Sequence, residues 1–144
     1  MIERIVHENR ELAIIIRNDY YEEGIHFLTE SDYSQQLAYM HHPKGKVIEA
    51  HIHNYEERKV VYTQEVLVIK KGSLRVDFYK DEHSYIESII LKAGDIILLA
   101  AGGHGFEVLE EVEMVEIKQG PYLGERDKTR FQGVTEAEVK MKNN

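Results

Sequence analysis

The stretch Gly45-Lys-Val-Ile-Glu-Ala-His51-Ile-His53, followed by Glu65-Val-Leu-Val-Ile-Lys-Lys-Gly72, decides how this chain is read. Successive side chains of a β-strand point to opposite faces, so residues two apart share a face. As a strand, 46–53 puts Val47, Glu49, His51 and His53 on one side and Ile48, Ala50 and Ile52 on the other. A core or a subunit contact accounts for the apolar side. The Glu/His/His side has no such use, because burying three polar groups costs free energy unless something binds them. In the run 60–70, Glu65 shares a face with Val61, Thr63, Leu67 and Ile69. That is an expensive place for a carboxylate without a metal or another cation.

Around this stretch, short runs rich in Val, Ile, Leu and Tyr recur at 12–17, 35–41, 73–80, 84–91, 95–100, 105–109 and 112–118. Turn-forming residues at 43–45, 70–72, 80–83, 93–95, 102–103 and 120–121 separate them. Long helical periodicity is scarce. Many short strands at such spacing predict an all-β, antiparallel, double-sheet fold or barrel. The 144 residues suit one domain with one core. The expected division is an N-terminal strand and lead-in over 1–33, a barrel over 34–131 and a polar tail over 132–144. Within that tail, 135–142 has the pattern for one or two helical turns, or for a loosely ordered end.

The chain has no cysteine, which excludes disulfides, thiolate zinc sites, iron–sulfur clusters and a cysteine nucleophile. Any transition metal must therefore be held by Asp, Glu or the 8 His. Acidic residues outnumber basic ones 26 to 18, for a net charge of -8. A partner that grips the phosphate backbone carries the opposite bias, so no nucleic-acid partner is expected. The apolar run 96–101 is far shorter than the roughly 20 residues of a membrane-spanning helix. The first seventeen residues carry Glu3, Arg4, Glu8, Arg10 and Glu11 and lack the basic start and cleavage site of a signal peptide. The expectation is a cytoplasmic protein with no membrane partner.

Gly45, His51, His53, Glu65 and Gly72 follow the order Gly, five residues, His-x-His, a gap, Glu, six residues, Gly. Gly94, Gly102 and His104 follow a second outline of Gly, five residues, a turn, Gly and His. In these motifs the chain resembles the cupin superfamily, over about 34–118. It departs from that pattern in three places. The gap 54–64 is much longer than usual and contains Glu56 and Glu57, neither of which has the Glu-x6-Gly spacing. Ala100 stands where a Pro is usual, with one residue fewer between Gly102 and His104, and Val108 stands where an Asn is usual.

The resemblance implies a single-domain cupin jelly-roll β-barrel with a metal near one end of its interior. The implied ligands are His51, His53, Glu65 and His104. Three imidazoles and one carboxylate with open positions suit a divalent transition metal such as Fe, Mn, Ni or Zn. The implied function is a metal-dependent enzyme acting on a small polar metabolite, with dioxygenase or sugar/acid isomerase-type chemistry. A non-catalytic metabolite- or sugar-binding cupin is the alternative. Glu49, Glu116 and Lys118 are the candidate acid–base residues. Tyr39, Arg58, Phe106 and Tyr122 are candidate walls of the substrate pocket. Glu107, Glu110, Glu111, Glu113 and Glu116 read mainly as a solvated face. Ile48, Ala50 and Ile52 offer an apolar surface for a homodimer.

Overall fold

Two long strands carry the architecture seen in the computed structural model, which describes residues 1–142. In chain order the strands are β1 (Ile2–His7), β2 (Arg10–Ile16), β3 (Gly24–Phe27), β4 (Ala38–His41), β5 (Glu65–Tyr79), β6 (Tyr85–Lys92), β7 (Ile96–Leu99) and β8 (Gly103–Lys118). Two short 3-10 turns follow, Gly124–Asp127 and Glu136–Glu138. The main sheet runs β1-β2-β7-β5-β6, all antiparallel, and β8 lies along the other side of β5. The ends of β5 take different neighbours on one side, β7 against Glu65–Val68 and β6 against Ser73–Tyr79. β3 and β4 form a separate two-stranded ribbon.

The sheet curls into a half-barrel because β5 and β8 bend together. Their pairing shifts register between Ile69 and Leu74, around Gly72. Gly72 has φ +77°, and a Cβ there would meet the carbonyl oxygen of Glu111 at 1.9 Å. A bulge adds a residue and so flips side-chain parity along a strand. Leu67 and Ile69 before the bulge therefore join Leu74, Val76 and Phe78 after it in one buried cluster. Ala13, Ile15, Ile97, Leu99, Ile89 and Leu91 complete that concave core. The opposite face buries Ile14, Val66, Leu98 and Ala100 beneath Leu28, Tyr33 and Leu37.

Three expectations change here. The runs 60–70 and 73–80 are one strand, as are 105–109 and 112–118, because 70–72 is a bulge and not a turn. Segment 46–53 forms no strand. Residues 43–63 are exposed throughout, with no neighbouring strand to satisfy their backbone. The tail holds the expected single turn, at Glu136–Glu138, but is docked and not loose: Phe131 packs edge-on to Tyr79, the Val134 amide donates to the Tyr79 hydroxyl at 2.8 Å, and Met141 bridges to Ser88 of β6. Residues 143 and 144 of that tail lie outside the described residues. Among the described residues, no helix is long and apolar enough to cross a membrane.

Candidate functional site

The curl of β5 and β8 builds the most chemically loaded contact in the chain. Glu65 opens β5, whereas His104 pairs with Phe78 near its other end. A straight strand would hold those two positions about 43 Å apart at ~3.3 Å per residue. Instead His104 Nε2 meets Glu65 Oε1 at 2.6 Å. Gly102, at φ +71° and with no room for a Cβ against the Tyr79 carbonyl, turns the chain into β8 just before His104. Cross-strand partners share a face, so Glu116 and Lys118, opposite Leu67 and Glu65, lie on the same concave side.

Glu65 is buried, yet it stays ionised. The hydrogen bond from His104 lowers its pKa to about 2, overcoming the opposite push of burial, and a hydrogen bond with Glu116 and the charge of Lys118 add to the effect. Glu116 moves the other way, raised mainly by sharing that hydrogen bond with the Glu65 anion. Two carboxylates that share one hydrogen bond thus move in opposite directions from their ordinary values. Lys118 Nζ lies 3.8 Å from Glu116. Beside Lys118, Val60–Thr63 and 118–128 enclose a cavity of about 230 Å³, with Tyr122 in its wall. A larger groove of about 770 Å³ runs between Tyr79, His83, Tyr85 and the docked tail, away from these carboxylates.

Of the expected site residues, Glu65, His104, Glu116 and Lys118 come together. Phe106 is next to His104, with ring centroids 5.2 Å apart. His51 and His53 lie on the exposed segment 43–63, their rings 5.4 Å apart. The Nδ1–H of His51 donates to the carbonyl of Glu49 at 2.9 Å. Glu49 and Arg58 are on the same segment, where Arg58 donates to the Glu56 carbonyl. Tyr39 is elsewhere, on the β3–β4 ribbon against Tyr20. Among the described residues, no three His, Asp or Glu side chains converge as a metal-holding group. One chain therefore does not assemble the four-residue shell, and its donors fall into two halves, His51 with His53 and Glu65 with His104.

Sequence reasoning passed over the residues that fasten the root of the exposed segment. Thr63 Oγ1 donates to Asp127 at 2.6 Å. The Gln64 amide donates to Gln119 Oε1 at 2.9 Å, and its side chain donates to the Ala100 carbonyl. Isolated Gln and Thr residues carry no periodic signal, so only the tertiary fold reveals them. The buried Arg75, bound to Asp77 at 2.8 Å and to Glu107 and Glu136, was likewise hidden inside an alternating strand pattern. No family model, no curated protein and no solved structure matches the chain.

Proposed function

We propose that this chain is a cupin-type β-barrel protein that binds a small polar metabolite and moves a proton on it, in the manner of a sugar or acid isomerase. The contact that carries the proposal is Glu65 with His104, flanked by Glu116 and Lys118. Neighbouring acids whose surroundings drive their pKa values apart are the usual means of dividing acid and base roles. Glu65, held ionised, fixes the His104 ring by accepting its Nε2–H. Glu116, which retains its proton to higher pH, is the proton donor and acceptor toward substrate. Lys118 at the cavity wall attracts a substrate carboxylate or a developing oxyanion. The cavity of about 230 Å³ that Lys118 lines, next to but not including Glu65, His104 and Glu116, suits a metabolite of few carbons. The cupin-type donor set is divided in one chain, so no step of this proposal runs through a metal.

A thermal-shift screen of hydroxy acids, keto acids and aldoses tests the reading, followed by proton exchange into the best binder in deuterated water. Wild type should stabilise on binding and exchange a carbon-bound proton. Glu116→Gln should retain the shift and lose the exchange. A ligand that shifts wild type and Lys118→Ala/His104→Ala equally would place binding elsewhere and refute the assignment.

A further inference from the structure

We propose that the outer edge of β6, together with Arg75, Tyr79 and Tyr85, is a docking site for an extended peptide of a partner protein, and that residues 131–142 are a tethered stand-in for that peptide. The peptide carries an aromatic residue, a carboxylate five positions later and a strand-forming run from the ninth position, as Phe131, Glu136 and 140–142 do.

The tail is held as a peptide ligand is held, by its main chain and by two anchoring side chains. β6 is the last strand on its side of the sheet, so its outer backbone groups are free to take another strand. The Ser88 amide donates to the Lys140 carbonyl at 2.8 Å, and the Lys142 amide donates to the Ser88 carbonyl at 2.9 Å, a parallel bridge. Two phenol oxygens accept from the tail's main chain, Tyr79 from the Val134 amide at 2.8 Å and Tyr85 from the Lys140 amide at 2.9 Å. None of these contacts depends on the tail's side chains. In strand addition, main-chain bonds give affinity and pockets for individual side chains give specificity. Both pockets belong to the body of the fold. Gly103, opposite Tyr79 on β8, leaves a socket for a ring, since a Cβ there would stand 3.0 Å from Cζ of Phe131. Arg75, its side chain only 6% exposed, ties Nε and Nη2 to Asp77 and turns Nη1 to Glu136 at 2.6 Å.

The tail fills this site incompletely. None of its described residues is buried, and it pairs with one residue of an eight-residue strand. A groove of about 770 Å³ remains between it and Tyr79, His83 and Tyr85. Past Phe131, the apolar side chains along that groove are small: Val134, Ala137 and Val139. A segment that buries so little opens locally at low cost. A separate peptide with larger side chains at those positions fills the space and pairs with more of β6. That gain is what displaces a tethered tail whose effective concentration is on the order of mM. The tail of a second copy has the same small side chains and gains nothing over the chain's own, which favours a different protein as the partner.

Fluorescence anisotropy on the full-length chain tests the site with a labelled peptide of residues 128–142. Phe131→Ala/Glu136→Gln in the protein loosens its own tail and should tighten peptide binding about tenfold or more over wild type. Val134→Leu/Val139→Leu in the peptide adds two methylenes to the groove and should tighten binding about tenfold again. Phe131→Ala/Glu136→Gln in the peptide should abolish it. Tyr85→Phe in the loosened protein should weaken it severalfold, with the fold retained by circular dichroism. The peptide should also slow amide exchange at Ser88 of the loosened protein. Equal affinity in wild type and the loosened protein, or no binding to the latter at about 1 mM peptide, would overturn the site. If light scattering shows wild type to be a dimer that the peptide splits, the occupant is a second copy's tail and the separate partner is overturned.

Discussion

Replacing Gly72 with alanine should be among the most damaging single-methyl changes this chain can suffer. At φ +77° an L-residue pays about 1–2 kcal/mol for the left-handed backbone. The added Cβ would stand 1.9 Å from the Glu111 carbonyl oxygen and 2.7 Å from its carbon. Ordinary contact begins near 3.4 Å, so β5 and β8 must part by about 1.5 Å, and both colliding groups are backbone and cannot rotate away. Opening that gap strains the pairs Lys71↔Glu113 and Ser73↔Glu110 on either side. Two weakened ladder bonds at about 1 kcal/mol each bring the expected loss to about 3–4 kcal/mol. Gly45→Ala is the control. It has φ +88° with nothing within 4 Å, so it pays the backbone cost alone. Stiffening of the unfolded chain by alanine is common to both and cancels. Urea denaturation should place Gly72→Ala at least about 2 kcal/mol below Gly45→Ala. Equal losses would refute the close approach of the two strands, and with it the bend that joins Glu65 to His104. A second readout is the imidazole resonance of His104, which should shift in Gly72→Ala and stay put in Gly45→Ala.

Other outcomes follow from the same geometry. Glu65 has a folded pKa of about 2, below its ordinary 4.5, so its contribution to stability is complete above 4.5 and is lost as pH falls toward 2. Glu116, raised by its neighbour, contributes below its ordinary value and loses that contribution as pH rises through its folded value. Glu65→Gln should therefore flatten the acid limb of a melting-temperature profile; an unchanged limb would contradict the pairing. Arg75→Met leaves Asp77 buried without its cation and should cost about 3–5 kcal/mol by chemical denaturation, with much of it recovered in Arg75→Met/Asp77→Leu. Phe131→Ala removes an edge-on ring contact with Tyr79 at 5.0 Å. It should cost about 1–2 kcal/mol and speed amide exchange at Ser88 and Lys142, whose backbone bonds hold the tail to β6.

The all-β class and the positions of β2, β6 and β7 are legible because short apolar runs there coincide with real pairing. The break at 70–72 is not, since Lys-Lys-Gly serves equally as a turn or as a bulge with solvated lysines. β1 was read only as part of a charged lead-in because its polar residues are spoken for across the sheet, Arg4 by Glu11 and Glu3 by Arg17. Alternation at 46–53 was equally clear and formed nothing within the chain. A period of two shows that a segment suits a strand and says nothing about where its neighbour is. At the site, spacing brought out Glu65 and His104, and strand parity marked Glu116 and Lys118. The unlike titration of the two carboxylates depends on a curl that no local pattern encodes.

The nested pairing of β5 and β8 also imposes an order on folding. Tyr79↔Gly103 encloses the shortest loop and Glu65↔Lys118 the longest, with β6 and β7 formed between them. Closing a longer loop costs more chain entropy, and ladders with such distant partners assemble slowly. Zipping therefore starts near Tyr79, passes the kink at Gly72 and ends at Glu65. His104 is in position from the first step, and its carboxylate arrives at the last. The contact between Glu65 and His104 becomes a signal of completed folding, absent from any intermediate in which only the first half of the ribbon has formed.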